Sequence, residues 1–166
     1  MMPATAGVEL AGFAAAHAVC LIADGDPLVP IGVSQRGSGG ARITCLDGGT
    51  ADEIAAQAGR WLDRNDGAAD RAVTVVDGYI TIQGESKIDA LILDIRSYAP
   101  PGTRMKMAVP YRRAVDGARF AVHRPKFIVA QLDGQDANGL GQAFLRGVLG
   151  HETGGPLWLA ALDQSR

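Results

Sequence analysis

The chain has 166 residues, 47% hydrophobic and 20% charged, which is typical of one globular domain over residues 1–166 and excludes a disordered segment. Its net charge of −2 and isoelectric point near 5.9 give no reason to expect a dedicated nucleic-acid-binding protein. Glycine is frequent, with 22 residues, but it follows no Gly-X-Y period, which excludes a collagen-like chain.

Many of the glycines lie in a sequence context that favours tight turns. Six of them directly follow an aspartate, and Asp-Gly is a strong signal for the two-residue turns that connect antiparallel strands. The chain is therefore expected to be rich in strands and turns. The six pairs are Asp24-Gly25, Asp47-Gly48, Asp66-Gly67, Asp77-Gly78, Asp116-Gly117 and Asp133-Gly134.

The N-terminal segment is predicted to contain a short helix followed by a strand. Residues 8–16 are rich in alanine and permit a helix, whereas residues 18–23 form an apolar run that is typical of a buried strand. The apolar stretch from Leu10 to Ala23 has no basic region before it and is too short to span a bilayer. We therefore interpret it as part of the fold of a soluble, cytoplasmic protein with no membrane contact.

Two further short strands are predicted before the middle of the chain, over residues 28–33 and 41–46. The glycine-rich segment from Gln35 to Ala41 lies between them. It leads into a strand and has no Gly-Lys-Ser/Thr ending, so it does not fit a phosphate-binding loop. We expect it to be a mobile loop.

A helix is predicted over residues 51–64. Thr50 and Glu53 have the spacing of a capping box, in which their side chains satisfy free backbone N–H groups at the helix start. Apolar residues recur at Ile54, Ala58, Trp61 and Leu62, which places them on one face of a helix. Asn65-Asp66-Gly67 is expected to end it.

A β-hairpin is predicted next. Residues 72–76 and 79–83 are rich in β-branched side chains and flank Asp77-Gly78, which favours a two-residue turn between two strands. That register would place Val73, Val75, Ile80 and Ile82 on one face. Residues 87–98 follow as a central strand, because both of its faces are apolar midway.

The C-terminal half is predicted to contain more strands and a helix. Residues 104–109 alternate apolar and charged side chains, and a second hairpin is expected over residues 111–122 around Asp116-Gly117. A last strand follows over residues 127–132. Leu140, Phe144 and Val148 recur every fourth residue and predict a helix over about 138–149, whose glycines require packing to hold it. Residues 157–162 form a short terminal apolar turn or helix.

The sum of these elements is an α+β domain. We expect an antiparallel, meandering sheet of about six to eight strands, with the helix at about 51–64 and the C-terminal helix at about 138–149 packed on it.

Charge is distributed unevenly along the chain. Residues 100–127 hold seven basic side chains and one acid, whereas the rest of the chain is acidic. Such a segment can form a docking face for an anionic partner. The candidate partner-binding residues are Arg104, Lys106, Arg112, Arg113, Arg119, His123, Arg124 and Lys126.

The usual catalytic and metal-binding patterns are missing. His151-Glu152 begins like the zinc-protease motif, but Gly155 stands where the second histidine is required. Cys20 and Cys45 lie in apolar runs, where a thiol is expected to be buried and inert; a Cys20–Cys45 disulfide is the alternative, since both predicted strands could be neighbours. We therefore expect no metal, no cofactor and no catalytic residue.

The first functional interpretation is a non-catalytic binding or scaffold domain. It would dock a protein with an acidic face, or a second copy of itself as a homodimer, through the basic hairpin region 104–127. The alternative is a small hydrolase or transferase that acts on an anionic substrate with His123 as general base. Nucleic acid is a weaker candidate, because the predicted hairpin sends Tyr111 and Phe120 away from Arg112 and Arg119.

Overall fold

The structure, a computed structural model, describes residues 3–115, 117–130 and 137–165. Within these ranges the chain forms four helices and seven strands. The helices are α1 (Pro3–Ile22), α2 (Ala51–Arg64), α3 (Ala137–Leu149) and α4 (Gly154–Ala161), and the strands are β1 (Ile31–Gln35), β2 (Arg42–Cys45), β3 (Arg71–Ile82), β4 (Glu85–Ser97), β5 (Thr103–Arg112), β6 (Ala121–Val122) and β7 (Lys126–Ala130).

The strands form one antiparallel sheet, and this confirms the predicted α+β class. The order is β2-β1-β3-β4-β5, and β6 and β7 both pair with the outer edge of β5. Strands β3, β4 and β5 are neighbours in sequence and in the sheet, which is the predicted meander. Both predicted helices are present with nearly the predicted limits, as α2 and α3.

The N-terminal segment forms a single helix of 20 residues, so the strand predicted over residues 18–23 is wrong. Helix α1 packs across β1, β3, β4 and β5 on one face of the sheet, and α3 and α4 pack on α1. A helix that is covered on several sides is apolar around its whole circumference. The periodic pattern that identifies a surface helix is therefore missing from α1, and its last residues resemble a buried strand.

The sequence predicts that the apolar stretch from Leu10 to Ala23 is too short to span a bilayer, but α1 extends it, and over Ala4–Ile22 the helix is long and apolar enough to cross one. In this fold, 61% of its most apolar window is buried inside the domain. Most of the apolar surface of α1 is thus used to form the core.

Helix α2 has the limits that its capping box and apolar stripe predict. The backbone N–H of Glu53 donates to the Thr50 hydroxyl over 3.2 Å, and Asn65 ends the helix in a left-handed conformation. A methyl group on Gly32 would lie 2.7 Å from the Trp61 ring, so this glycine in β1 lets the indole pack directly on the strand. The contact holds α2 on the sheet face opposite to α1.

The hairpin predicted at Asp77-Gly78 is wrong, because β3 continues straight through these two residues. It pairs with β4 from Arg71↔Ser97 onwards, and the turn lies at Gln83-Gly84, where both residues have positive φ. The Ile92 side chain lies over Gly78, where a β-carbon would come within 2.8 Å of it. Because β3 runs through these residues without a turn, Val73 and Val75 lie on one face of the sheet and Ile80 and Ile82 lie on the other.

The second predicted hairpin has the expected register over a shorter length. Tyr111 pairs with Val122 and Arg112 with Ala121, as a two-residue turn at residues 116–117 requires. The ladder contains only these two pairs, and Asp116 lies outside the described residues. The predicted strand over 127–132 appears as β7, and residues 131–136 lie outside the described part of the chain.

Helices α1 and α3 approach each other at two glycines. A β-carbon on Gly12 would overlap the carbonyl oxygen of Phe144, and one on Gly147 would overlap the carbonyl oxygen of Glu9. The two sites are reciprocal, since each glycine faces the backbone of the other helix. The glycine that weakens α3 as an isolated helix is therefore the residue that lets it pack on α1.

Replacement of Gly147 by alanine is predicted to lower the free energy of unfolding by about 3 kcal/mol, because the new methyl group forces two backbones apart. The matched variant is Gly141→Ala on the same helix. A β-carbon there meets nothing within 4 Å, so this variant gains up to ~1 kcal/mol from helix propensity. Urea unfolding of the two variants measures the difference. Equal stability of the two would show that α1 and α3 do not approach this closely.

Candidate functional site

Strand register brings four of the predicted binding residues onto one sheet face. Arg104, Lys106 and Arg112 occupy alternate positions of β5, and Lys126 in β7 lies opposite Ala108 on the same face. This is the face that carries α2, which contacts the sheet at β3. Among the described elements, none covers the β5 and β7 part of it. We call the set Arg104, Lys106, Arg112 and Lys126 the basic face.

Acids lie near three of the four cations of the basic face, but only as loose partners: Asp63 is close enough to Arg104, and Asp163 to Arg112, for each cation to lower the pKa of the acid. Asp94 lies opposite Lys106 in the β4–β5 ladder, with 3.8 Å between its carboxylate and the ammonium nitrogen. Both side chains are about 40% exposed, so this ion pair is weak. Arg96 lies opposite Arg104 and binds Asp63 of α2 over 2.7 Å. The described part of the face therefore retains a net positive charge.

Arg113 belongs to the opposite face and binds residues of its own chain. Its guanidinium donates to Asp89 over 3.0 Å and to Asp77 over 2.9 Å, and it lies 5.5 Å above the Tyr111 ring. The Tyr111 hydroxyl also donates to Asp77, and burial, together with this hydrogen bond, raises the pKa of Tyr111 well above its usual value. Arg113 thus ties β5 to β3 and β4.

The remaining predicted residues surround β6. Arg119 and Arg124 are exposed, and the Arg119 carbonyl accepts a hydrogen bond from Arg112. The His123 side chain is only 4% exposed, and its Nδ1 lies 3.0 Å from the Asp163 carbonyl oxygen. Contact with a partner and action as a general base both require an accessible ring, which this burial does not provide.

The cysteines do not occupy the buried strand positions that the sequence predicts. Cys20 lies on α1 and is partly exposed, with its sulfur 3.5 Å from the Thr153 hydroxyl. Cys45 ends β2 and is exposed. Both thiols are free.

The glycine-rich segment from Gln35 to Ala41 is held by hydrogen bonds, contrary to the mobile loop that we expected. Arg71 donates to the Gln35 side chain over 2.9 Å and to the Gly37 carbonyl, and the Gly37 N–H donates to Asp70. The Gln35 amide also binds the Gly39 carbonyl over 2.8 Å. The segment thereby forms one wall of a cleft against α1 and α3, with a volume of about 520 Å³.

Two histidines that are 134 positions apart form a hydrogen-bonded pair. The Gly154 N–H donates to His151 Nδ1 over 2.8 Å, which places the proton of a neutral His151 on Nε2. That proton is donated to His17 Nδ1 over 3.0 Å. Sequence spacing carries no signal for this pair, because one ring comes from α1 and the other from the loop between α3 and α4.

Burial lowers the pKa of both rings, and the neighbouring His151 lowers that of His17 further. A histidine whose pKa is lower in the folded state binds its proton preferentially in the unfolded state. Its contribution to stability is therefore present above the unfolded pKa of about 6.5 and is lost as the pH falls below it.

We predict that the free energy of unfolding of the wild type declines from pH 7 to about pH 5, and that the His17→Gln variant declines less steeply. Urea unfolding at a series of pH values measures both slopes. The difference between the two proteins isolates His17 from the other titrating groups. Parallel slopes would show that His17 titrates alike in the folded and unfolded chains.

Comparisons of this chain with protein-family models, curated proteins and solved structures find no match. In the described residues, no group of three or more histidine, cysteine or acidic side chains is placed to hold a metal ion.

Proposed function

We propose that this protein is a non-catalytic binding domain that docks the acidic surface of a partner protein through its basic face. The observation that carries the proposal is the β4–β5–β7 register, which aligns Arg104, Lys106 and Lys126 on a sheet surface without a covering helix among the described residues. Charge complementarity on such a surface accelerates association and fixes the orientation of the partner.

A protein fits this surface better than a single-stranded nucleic acid does. Single-strand binding combines cations with aromatic rings on which bases stack. The aromatic neighbours, Tyr111 and Phe120, pack against the core on the side of α1, with 6.1 Å between their ring centroids. The strand residues that form the basic face contribute cations, which suit the acidic side chains of a folded partner.

We place this docking in the cytoplasm. Both cysteines are free, and Cys45 is exposed, which fits a compartment where thiols remain reduced. The expected partner is a different protein with an acidic surface. Self-association as a homodimer is a separate outcome that the experiment distinguishes.

A synthetic octaglutamate peptide tests the docking face. In an NMR titration of the ¹⁵N-labelled protein, the peptide is expected to shift the backbone amides of β5 and β7, and the affinity is expected to fall as salt increases. Combined replacement of Arg104, Lys106 and Lys126 by glutamate is predicted to weaken binding roughly tenfold or more. Octalysine serves as the peptide control and is expected not to bind.

The matched control reverses three exposed cations elsewhere on the molecule, with Arg36, Arg60 and Lys87 each replaced by glutamate. It has the same change in net charge and is expected to retain most of the binding. If both triple variants lose binding equally, the peptide responds only to net charge and the proposed face is wrong. Sedimentation velocity gives the oligomeric state of the wild type. A monomer supports docking of a different protein, whereas a dimer that the basic-face variant dissociates would show that the face binds a second copy of the chain.

A further inference from the structure

The cleft beside the glycine-rich segment is separate from the basic face. It lies on the side of the sheet that carries α1, and α1, α3 and the β1–β2 connection form its walls. Its volume of about 520 Å³ is within the range of small-molecule sites. Arg71 and its hydrogen bonds fix the wall on the strand side, so the cleft is preformed.

The walls combine an apolar surface with a few charged groups. Leu10 and Phe13 of α1 and Ala41 of the glycine-rich segment provide the apolar part. The ionisable residues that line the cleft are Glu9, Arg71 and Arg146. The lining residues therefore carry one net positive charge, and the Asp70 carboxylate, which does not line the cleft, accepts the Gly37 N–H in the same wall.

Neither guanidinium is fully neutralised within the described chain. Arg71 donates to a side-chain amide and a backbone carbonyl, which are uncharged acceptors, and it forms no ion pair with a described residue. The Arg146 guanidinium lies 3.6 Å from a carboxylate oxygen of Glu9, and this distance is too long for a hydrogen bond. The same Glu9 oxygen is buried and has no hydrogen-bond partner among the described residues. An arginine has five N–H donors, so both side chains retain donors for an anion.

We propose that this cleft binds a small monocarboxylic acid with an apolar body. The carboxylate accepts hydrogen bonds from Arg71 and Arg146, and the apolar body packs against Leu10 and Phe13. Because Glu9 offsets one of the two cations, a single negative charge is matched and a second one is repelled. The site therefore selects a monoanion over a dianion, and an acid over an amine or alcohol of equal length.

Hexanoate is the probe for this site. In an NMR titration of the full ¹⁵N-labelled chain, hexanoate is expected to cause saturable shifts at the amides of Gly37, Gly147 and Gly150, which line the cleft. Hexanol, hexylamine and the dicarboxylate adipate are each expected to bind at least about tenfold more weakly than hexanoate. Equal binding of any of these three would overturn the proposed ligand class, and no saturable shift with hexanoate would overturn the site.

Two variants localise the binding. Arg146→Gln removes a loosely held, half-exposed cation and is expected to weaken hexanoate binding about tenfold. Ala6→Leu fills the cleft from α1 and is expected to abolish binding, whereas Arg60→Gln on α2 is the charge control and is expected to bind normally. Normal binding by both cleft variants, with their amide spectra showing an intact fold, would contradict the proposal.

The basic-face variant with Arg104, Lys106 and Lys126 replaced by glutamate keeps the two proposals distinguishable. It is expected to bind hexanoate as the wild type does, because its changes lie on the other face of the sheet. Loss of hexanoate binding in this variant would contradict the independence of the cleft.

Discussion

Helices α1 and α3 pack with their backbones in direct contact, and the arrangement of the helices on this side of the sheet depends on that contact. Gly12 and Gly147 each face a carbonyl group of the other helix, where a methyl group would not fit. This approach clamps α1 between α3 and the sheet and buries its apolar surface. The glycine that this contact requires in α3, Gly147, lowers the helix propensity of α3, and the packing of α3 on α1 offsets that loss.

The same contact builds the two features on this side of the sheet. The cleft opens where α1 and α3 diverge from the glycine-rich segment, and Glu9 and Arg146 face each other across the helix pair. Further along the pair, the loop after α3 brings His151 to His17. Both features combine residues from distant parts of the sequence, and both require that α3 pack closely on α1.

The sheet separates the two proposed activities. Its α1 side carries the cleft and Arg113, which is held by Asp77 and Asp89 of the same chain. Its other side carries the basic face, where Asp94 forms a loose ion pair with Lys106 and Asp63 of α2 binds the neighbouring Arg96. Alternation along β5 sends Arg112 and Arg113 to opposite faces, so neighbouring arginines in the sequence have different roles. A local count of basic residues cannot separate them.

Elements with local signals could be predicted from the sequence. The capping box and apolar stripe predicted α2, the recurrence of Leu140, Phe144 and Val148 predicted α3, and the turn at residues 116–117 predicted the β5–β6 register. These signals depend on residues within a few positions of each other. The meander and the basic segment were predictable for the same reason.

The remaining features could not be predicted from the sequence, because they depend on which distant side chains meet in the fold. Helix α1 has no clear apolar stripe along one side, since the sheet and two helices pack against it. Asp77-Gly78 stays in a strand, where Asp77 binds Tyr111 and Arg113 and Gly78 accommodates Ile92. The histidine pair and the cleft likewise join residues more than a hundred positions apart, and no pattern along the chain encodes such contacts.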